Sequence, residues 1–598
     1  MKKYLILFLG ALALTACKNK SEPIKEDTMA KNEAFGALLD NYYEDGLKLY
    51  PLKATAEGDN RYNHIFLNNL TEDYKAMEKA YYQKYKDELA TIKDSDLSES
   101  EKMSKAILEW ECNRNLERME FREDLTPINQ MWTVQLTMGQ YAGGSSAQPF
   151  KTVKDYENWL KRLEGYVIWM ATAEERMREG MEKGYVLPKS LIQKVVPQLK
   201  TLTTKELDQH LFFSPVKNFP EDISDLDKKR LSNEYKAIIK DKIIPAYQKL
   251  YDFMGTDYLA AGRTTSGIEA TPDGKAYYDY SIKLYTTTDM TAEKIHQIGL
   301  DEVKRISMEM EKVKQQVGFN GDLKSFFDFV RNKKELMPFT DPQQVIDNFK
   351  AIHVKMKPQV DQLFDRQPKT PFEIRRTEAF RESSASAEYN PGSLDGTRPG
   401  IFYVPIPDVN TYNIYSDEDL FLHEAIPGHH FQISLTQENE DLPKFRKTLW
   451  YSAYGEGWAL YTESLGKELG LYQDPYQYFG MLGAEMHRAV RLVVDTGLHA
   501  KGWTREQAIK YSLDNEAESE EGITAEIERY MANPGQALSY KIGQLKILEL
   551  RAKAEKEMGK DFSIKEFHNQ VLETGCVPLA LLEEKISNWI TSNKKGAE

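Results

Sequence analysis

The sequence predicts a mainly helical protein, and three observations lead to this fold class. Long amphipathic segments dominate: between Thr291 and Val317 apolar residues recur every three to five positions, with Thr291 placed as an N-cap. Only one short region is typical of strands. No Pro/Gly/Ser-rich linker and no internal repeat divides the chain. Similar helical segments are expected near residues 72–92, 99–121, 153–183, 232–255, 478–500 and 537–558.

The N-terminus is typical of an export signal rather than of a folded domain. Two lysines precede an apolar run, residues 4–14, that is too short to remain as a membrane-spanning helix. The run leads into Leu-Thr-Ala-Cys17, which resembles a bacterial lipobox with Cys17 as the lipidated residue; an ordinary secretory signal that contains a cysteine is the alternative. Residues 1–17 are therefore predicted to be a lipoprotein signal peptide and residues 18–32 a flexible tether.

The rest of the chain, residues 33–598, is expected to form a single helical domain with lobes at roughly 33–285 and 286–598. No later segment is long and apolar enough to cross a membrane. We therefore expect an exported lipoprotein, periplasmic or at the outer membrane, that meets the membrane through its N-terminal lipid only.

Charge and cysteine content exclude two classes of protein. The 79 basic and 93 acidic residues give a net charge of −14, whereas nucleic-acid binding needs a concentrated basic surface. Besides Cys17 the chain has only Cys112 and Cys576, which could pair but cannot form a disulfide framework. The expected partner is therefore not nucleic acid, and the cysteines indicate no function.

One region, residues 383–407, departs from the helical pattern. A Pro/Gly-rich loop is followed by Ile-Phe-Tyr-Val, so a small pair of β-strands is expected just before the segment that carries most of the histidines. An edge strand can bind an extended peptide by adding it as a further strand. A strand that merely covers the core is the alternative.

The segment His423-Glu-Ala-Ile-Pro-Gly-His-His430 is the centre of the predicted chemistry. Ser416 is expected to cap the helix that carries His423. In the usual zinc-peptidase motif the second histidine follows four residues after the first, but that position is Pro427. In an undisturbed helix His430 would lie on the same side, about 10 Å further along the axis. A helix widened at Pro427 and Gly428 would instead return His429 to the required side, and this is the interpretation we favour.

The remaining groups of a metal site are also present. Glu424 would act as the general base beside the metal. A third ligand is expected from Tyr-Gly-Glu456-Gly-Trp, where small and apolar neighbours turn the carboxylate of Glu456 inward. Glu463 lies seven residues later on the same helical face and would hydrogen-bond a ligand. A salt bridge to a neighbouring helix is the alternative role for either glutamate.

Four motifs together resemble the bacterial family known as domain of unknown function 885 (DUF885). They are His423–His430, Glu456–Tyr461, Arg491–His499 and Pro534–Gly543, and the match runs from about residue 35 to the C-terminus. That family is grouped with the helical gluzincin metallopeptidases, which include thimet oligopeptidase and angiotensin-converting enzyme. Dipeptidyl-peptidase III is a useful analogy, because it also has a stretched spacing between its two histidines.

The resemblance implies a large, two-lobed, metallopeptidase-like helical fold with a small strand pair near the active-site cleft. It further implies zinc (Zn2+) as the cofactor, His423, His429 and Glu456 as its ligands, and Glu424 as the base. His430 is the alternate second ligand.

Peptide hydrolysis also needs donors for the developing oxyanion. In related gluzincins a tyrosine and a histidine or arginine from late helices fill this role, so the candidates here are Tyr540, Tyr530 and His499. Asp495 and His499, four residues apart on a helix, are expected to form a hydrogen-bonded pair.

The predicted function is zinc-dependent hydrolysis of peptide bonds, on short peptides. Two alternatives stay open: a non-catalytic lipoprotein that binds a peptide or a protein partner, and a zinc hydrolase of non-peptide amides. Basic side chains could hold a substrate carboxylate, although salt bridges between helices explain them equally well. The predicted substrate-binding residues are Arg398, Tyr403, Arg488 and Arg491.

Overall fold

The computed structural model describes residues 31–144, 146–378, 382, 385–393 and 398–595. The predicted signal peptide with Cys17, and most of the predicted tether, lie outside the described residues. Among the helices in the described part of the chain, none combines the length and apolarity needed to cross a membrane.

Helices account for most of the described residues, which confirms the mainly α class. The first half of the chain contains α1 Glu33–Leu49, α2 Pro51–Ala56, α3 Glu72–Ala90, α4 Glu99–Arg118, α5 Val134–Ala142, α6 Val153–Lys183, α7 Lys189–Thr201, α8 Asp225–Ile238, α9 Ile244–Phe253, α10 Leu259–Ala261, α11 Gly274–Thr286 and α12 Ala292–Gln316. The second half contains α13 Leu323–Asn332, α14 Pro342–Leu363, α15 Asp417–Glu424, α16 His429–Glu438, α17 Lys444–Lys447, α18 Ser452–Ser464, α19 Pro475–Ala500, α20 Arg505–Asn515, α21 Glu520–Ala532, α22 Ser539–Met558, α23 Ile564–Leu572 and α24 Leu579–Lys595.

The two predicted N-caps have different outcomes. Thr291 caps α12 as expected, because its side chain accepts a hydrogen bond from the backbone N–H of Lys294. Ser416 occupies the predicted N-cap position of α15, with carboxylates in the first turn, but its side chain makes no capping hydrogen bond. The buried start of α15 is held by a tertiary contact instead: the backbone N–H of Glu418 donates to Oε1 of Gln477 on α19, at 3.1 Å.

The small sheet has three strands, β1 Phe372–Arg376, β2 Glu388–Asn390 and β3 Gly400–Val404. β3 is central, pairing parallel to β1 and antiparallel to β2. The predicted strand pair corresponds to β2 and β3, and β1 is an additional strand that the sequence analysis missed. Phe402 of β3 packs against Phe349 of α14 with ring centroids 5.1 Å apart, so the sheet covers the helical core beside α15.

Two hydrophobic cores lie within the described residues. The larger one contains side chains of α1, α3 and α4 together with those of the C-terminal helices, for example Tyr42 against Phe445 at 5.6 Å between ring centroids. The smaller one is formed mainly by α5 to α9 and their connections. The lobe boundary expected near residue 285 does not separate these cores, because α1, α3 and α4 pack against the C-terminal half.

Glycines allow α18 and α22 to touch backbone to backbone. A Cβ added to Gly457 would lie 2.5 Å from Cα of Gly543, and one added to Gly543 would collide with the carbonyl group of Ala453. Both glycines belong to the motifs recognised in the sequence. Their close contact fixes α18, which carries Glu456, against α22, which carries Tyr540.

Candidate metal centre

The helix that carries the first histidine ends earlier than the sequence predicts. α15 ends at Glu424, residues 425–428 form a turn with a cis Ile426–Pro427 peptide bond, and α16 begins at His429. The predicted widened helix is therefore two helices joined by a tight turn. Pro427 has no N–H with which to continue the hydrogen bonds of α15, which accounts for its ending here.

The turn is held by close packing and by two side chains of α18. A Cβ on Gly428 would lie 2.6 Å from a carbonyl carbon in the last turn of α15, so only glycine fits. The indole N–H of Trp458 donates to the carbonyl oxygen of Pro427, and the hydroxyl of Thr462 donates to that of Leu422, both at 2.9 Å. α18 therefore supplies donors for carbonyl groups that the helix break leaves free.

The three predicted ligands meet at one point. Nε2 of His423 and Nε2 of His429 each lie 3.5 Å from Oε2 of Glu456, and the three candidate ligand atoms are all within 4.8 Å of one another. The two imidazole planes are nearly perpendicular, at 87°. Burial opposes ionisation of Glu456, but hydrogen bonds to both histidines outweigh it and hold the pKa of Glu456 far below its usual range.

This donor set fits zinc. Nitrogen and oxygen ligands lie about 2.0–2.2 Å from zinc, so two ligands of a tetrahedral site are about 3.3–3.6 Å apart. The two 3.5 Å separations from Glu456 fall in that range. Two histidines and one glutamate also leave a coordination position open, as catalytic zinc sites do.

Glu463 orients the first histidine. Its Oε1 accepts a hydrogen bond from Nδ1 of His423 at 2.6 Å, which turns Nε2, the other ring nitrogen, toward Glu456. Glu463 is itself buried, with 1% exposure. Burial, and then the charge of Glu463, raise the pKa of the adjacent carboxyl of Asp419. The sequence expectation that Glu463 bonds a ligand agrees with this contact.

His430 points away from the cluster formed by His423, His429 and Glu456. Its Nδ1 lies 2.9 Å from the hydroxyl of Tyr389 on β2, and its ring packs against Phe372 of β1 with centroids 4.8 Å apart. Burial lowers the pKa of His430 to about 4, so the ring is neutral at physiological pH. His430 therefore links α16 to the sheet, and the structure brings His429 rather than His430 to the cluster.

Glu424 stands beside the cluster without being part of it. It is half-buried and accepts no hydrogen bond within the described part of the chain. Burial raises the pKa of its carboxyl, while the neighbouring charges of His423, His429 and Arg488 oppose that rise. A carboxylate that is close to the cluster and not engaged elsewhere is available for proton transfer.

Tyr540 is the candidate donor that lies near the ligands. Burial, and next the negative charge of Glu456, raise the pKa of its hydroxyl. The guanidinium of Arg491 lies over its ring, 4.5 Å from the centroid. Tyr530 supports this arginine: its hydroxyl accepts from Nε of Arg491 at 2.9 Å and donates to Glu526 at 2.7 Å. Tyr530 therefore holds Arg491, and Tyr540 is nearer the cluster.

His499 is not brought to the cluster as a free donor. Its Nδ1 accepts from the backbone N–H of Ile268 at 3.0 Å and its Nε2 bonds the carbonyl oxygen of Tyr530 at 3.1 Å. Both ring nitrogens are thus occupied by the backbone, and burial lowers the pKa of His499 to about 3. The expected Asp495–His499 pair is not formed, because Asp495 accepts from the hydroxyl of Tyr278 at 2.6 Å.

The predicted substrate-binding residues lie in two places. Arg398 is exposed beside Tyr389, and its charge is among the influences that lower the pKa of that tyrosine against the effect of burial. Tyr403 is half-buried in β3, in register with Arg375 of β1. Arg488 and Arg491 lie one turn apart on α19. Arg398 and Tyr403 therefore belong to the region of the sheet, and Arg488 and Arg491 belong to α19.

Trp450 is a site residue that the sequence analysis missed. Its ring centroid is 5.9 Å from that of His429, and 46% of the residue is exposed. It is seated against Gly455, where an added Cβ would collide with the indole ring. Its position just before the Tyr-Gly-Glu456 motif could have indicated that Trp450 lies near the site. The sequence does not show that its ring is exposed there, because exposure depends on tertiary packing.

A comparison with protein families agrees with the motifs. The model described as "Bacterial protein of unknown function (DUF885)" matches residues 51–586. The chain belongs to this family. The resemblance stated from the four motifs is thus confirmed, and the relationship of DUF885 chains to gluzincins stays a prediction.

Two solved structures share the fold of this DUF885 chain. A predicted lipoprotein from Colwellia psychrerythraea is 28% identical, with a TM-score of 0.84 over 94% of this chain and 99% of that chain. A predicted lipoprotein of unknown function from Shewanella oneidensis is 19% identical, with a TM-score of 0.74 over 92% of this chain and 99% of that chain, and this likeness concerns the fold alone. No curated protein matches the chain.

Proposed function

We propose that this DUF885 chain is a zinc-dependent peptidase that cleaves short peptides. The observation that carries the proposal is the convergence of His423, His429 and Glu456, whose ligand atoms lie within 4.8 Å of one another. A bound zinc ion would compensate the charge of the buried carboxylate of Glu456. The hydrogen bond from His423 to Glu463 is the partner contact typical of a metal-bound histidine.

Within this proposal the metal and the protein have separate tasks. Zinc, when bound, supplies a Lewis acid that polarises the substrate carbonyl and lowers the pKa of water. Glu424 accepts a proton on its carboxylate and returns it to the leaving nitrogen of the substrate. The hydroxyl of Tyr540 donates to the carbonyl oxygen as negative charge develops there. Arg491 holds the Tyr540 ring in place through their 4.5 Å stacking contact.

The surroundings of the cluster support a peptide as the substrate. β2 is an edge strand, and its Tyr389 binds His430, the residue next to the ligand His429. An extended peptide added along this edge would pass beside the ligands. The exposed ring of Trp450, which lies just before α18, provides an apolar surface next to His429.

Replacing Glu424 tests the proposal. Glu424→Gln keeps the size of the side chain and removes its capacity to take a proton, so zinc content should be unchanged and hydrolysis should fall by about 100-fold or more. Glu440→Gln, an exposed glutamate after α16, is the matched control and should keep full activity. The assay uses short peptides with free and blocked termini, with and without chelator.

The outcomes of that assay separate the alternatives. Stoichiometric zinc with no peptide hydrolysis, but with cleavage of N-acyl amino acids, would favour a hydrolase of non-peptide amides. Peptide binding without any hydrolysis would favour a non-catalytic binding lipoprotein. Full peptide hydrolysis by the Glu424→Gln variant would contradict the role of Glu424 as the base.

We also propose that the chain is exported and anchored by a lipid on Cys17. The lipobox-like sequence before Cys17 supports this, as do the two structurally similar proteins, which are described as lipoproteins. A Cys17→Ser variant should lose incorporation of labelled palmitate and move from the membrane fraction to the soluble exported fraction. Unchanged membrane association of this variant would exclude the lipid anchor.

A further inference from the structure

Arg488 on α19 is partly removed from water, yet no carboxylate of the described residues pairs with it. The side chain is half-buried, and within the described residues its hydrogen bond goes to the carbonyl oxygen of Ala484 in its own helix, at 3.3 Å. Its Nε is buried without a partner. A guanidinium removed from water without an anion in contact is destabilising, so an arginine in this state is suited to receive an anion from outside.

The next arginine of the same helix shows the contrast. Arg491 lies one turn further along α19, and two groups bind its guanidinium. Its Nε donates to the Tyr530 hydroxyl at 2.9 Å, and its Nη2 pairs with Glu526 at 3.1 Å. Glu526 also pairs with Arg529 at 2.8 Å. The described part of the chain thus provides carboxylates for the arginines around Tyr530 and none in contact with Arg488.

α19, the helix that carries Arg488, packs against α15, the helix that ends at Glu424 beside the proposed reaction centre. The positive charge of Arg488 acts on the carboxyls of Glu424 and Asp419, after the larger effects of burial and of nearer charged groups. Neither carboxylate is in hydrogen-bond contact with it among the residues described. Arg488 therefore lies on a helix packed against the one that carries the proposed base, and no carboxylate of the described residues is bound to its guanidinium.

We propose that Arg488 binds a carboxylate of the substrate, so that the preferred substrates are peptides with a carboxylate close to the scissile bond. This inference rests on the proposed peptidase function and names its substrate class. A planar guanidinium can bind a carboxylate through two parallel hydrogen bonds, which also orients the peptide. The carboxylate is either the C-terminus of the peptide or the side chain of an aspartate or glutamate.

Paired peptides test the proposal. The first pair is acetyl-Ala-Phe-Ala-Ala with a free C-terminus and the same peptide as its C-terminal amide. The second pair is acetyl-Ala-Phe-Glu-Ala-amide and its Gln analogue. In the wild-type protein kcat/KM should favour the carboxylate member of one pair by about 10- to 100-fold, the size expected for a hydrogen bond between charged groups. The pair that shows the preference identifies the source of the carboxylate.

Arg488→Met should remove this preference by lowering kcat/KM of the carboxylate peptide to that of its neutral analogue. The readout is the ratio of the two kcat/KM values within Arg488→Met, which should fall to about one. Any effect of Arg488 on Glu424 changes both peptides alike and cancels in that ratio. Arg488→Lys, which keeps the charge but not the planar fork, should retain part of the preference. Arg366→Met, at an exposed arginine outside the site, is the matched control.

Two outcomes would overturn the proposal. If Arg488→Met slows the carboxylate peptide and the neutral peptide equally, Arg488 acts on Glu424 and not on the substrate. If the wild-type protein shows no preference within either pair, the substrate carboxylate has no binding site.

Calorimetry separates this proposal from the peptidase proposal. In the Glu424→Gln background, the carboxylate peptide should bind at least about tenfold more weakly when Arg488 is also replaced by Met. This binding result stands even if the wild-type protein hydrolyses none of the peptides, in which case the peptidase function fails and Arg488 is still a carboxylate-binding residue. Equal binding by the single and double variants would overturn the role of Arg488.

Discussion

The substitution Gly428→Ala tests the turn that brings His423 and His429 to one site. A Cβ at this position would lie 2.6 Å from the carbonyl carbon of His423. Carbon atoms in contact are normally about 3.5–4.0 Å apart, and the carbonyl oxygens of Leu422 and His423 would be even nearer to this Cβ. The turn must therefore open by at least about 1 Å. Overpacking of this kind costs about 1–3 kcal/mol of stability. Because the opening moves His429 relative to Glu456, we expect zinc affinity to fall by about 10- to 100-fold and hydrolysis by about 100-fold.

Zinc affinity is measured by competition with a chromophoric chelator, together with thermal unfolding of the zinc-free protein. Gly36→Ala is the matched control: Gly36 is exposed in α1, and a Cβ there would meet nothing within 4 Å. That change should leave zinc affinity unaltered and stabilise the helix by about 0.5–1 kcal/mol. Native zinc affinity in the Gly428→Ala variant would refute the claim that close packing at this glycine positions the ligands.

Three further predictions concern other groups. Glu463→Gln should weaken zinc binding by about 10- to 100-fold, measured by the same chelator competition, because His423 loses its charged partner; unchanged affinity would show that Glu463 does not support the ligand. Trp450→Ala should lower kcat/KM by about five- to tenfold for peptides with an aromatic residue at the cleavage site, and much less for alanine peptides, because apolar contact with the exposed ring is lost. Ile168→Ala, on the exposed face of α6, is the control. An equal loss for both peptide types would exclude a role of Trp450 in specificity. Burial raises the pKa of Asp495 to about 7, so the stability it contributes is fully present below pH 4 and is lost as pH rises through 7. Asp495→Asn should therefore abolish that loss, on the order of 4 kcal/mol, in urea unfolding measured from pH 4 to 8, and an unchanged pH profile would contradict the assignment.

The helical class and the ligand set could be predicted because their signals are local. Apolar periodicity identifies helices such as α12, and the histidines of the segment His423–His430 are close in the chain. Glu456 was recognisable from its small and apolar neighbours. The family motifs added the expectation that these groups meet, which the structure agrees with.

The turn between the histidines could not be predicted in detail, because distant groups determine it. Its carbonyl oxygens are bonded by Trp458 and Thr462, which lie some 31 to 40 positions further along the chain. The absence of a side-chain hydrogen bond from the N-cap residue Ser416 has the same origin, since Gln477 of α19 bonds the start of α15 in its place.

Residues whose role depends on solvent exposure or on unused hydrogen-bonding groups were the least predictable. His499 belongs to a recognised motif, yet the backbone occupies both of its ring nitrogens. Trp450 lies in no motif, yet its ring is exposed beside His429. Arg488 and Arg491 are equivalent in the sequence pattern, and only the packing of α21 and its Glu526 distinguishes them.

The central claim is that His423, His429 and Glu456 hold one zinc ion. Metal analysis of the purified protein beside its His429→Ala and His430→Ala variants tests it most directly. We expect one zinc per chain in the wild-type protein and in His430→Ala, and almost none in His429→Ala. A wild-type protein without stoichiometric metal, or a loss of metal in His430→Ala with retention in His429→Ala, would contradict it.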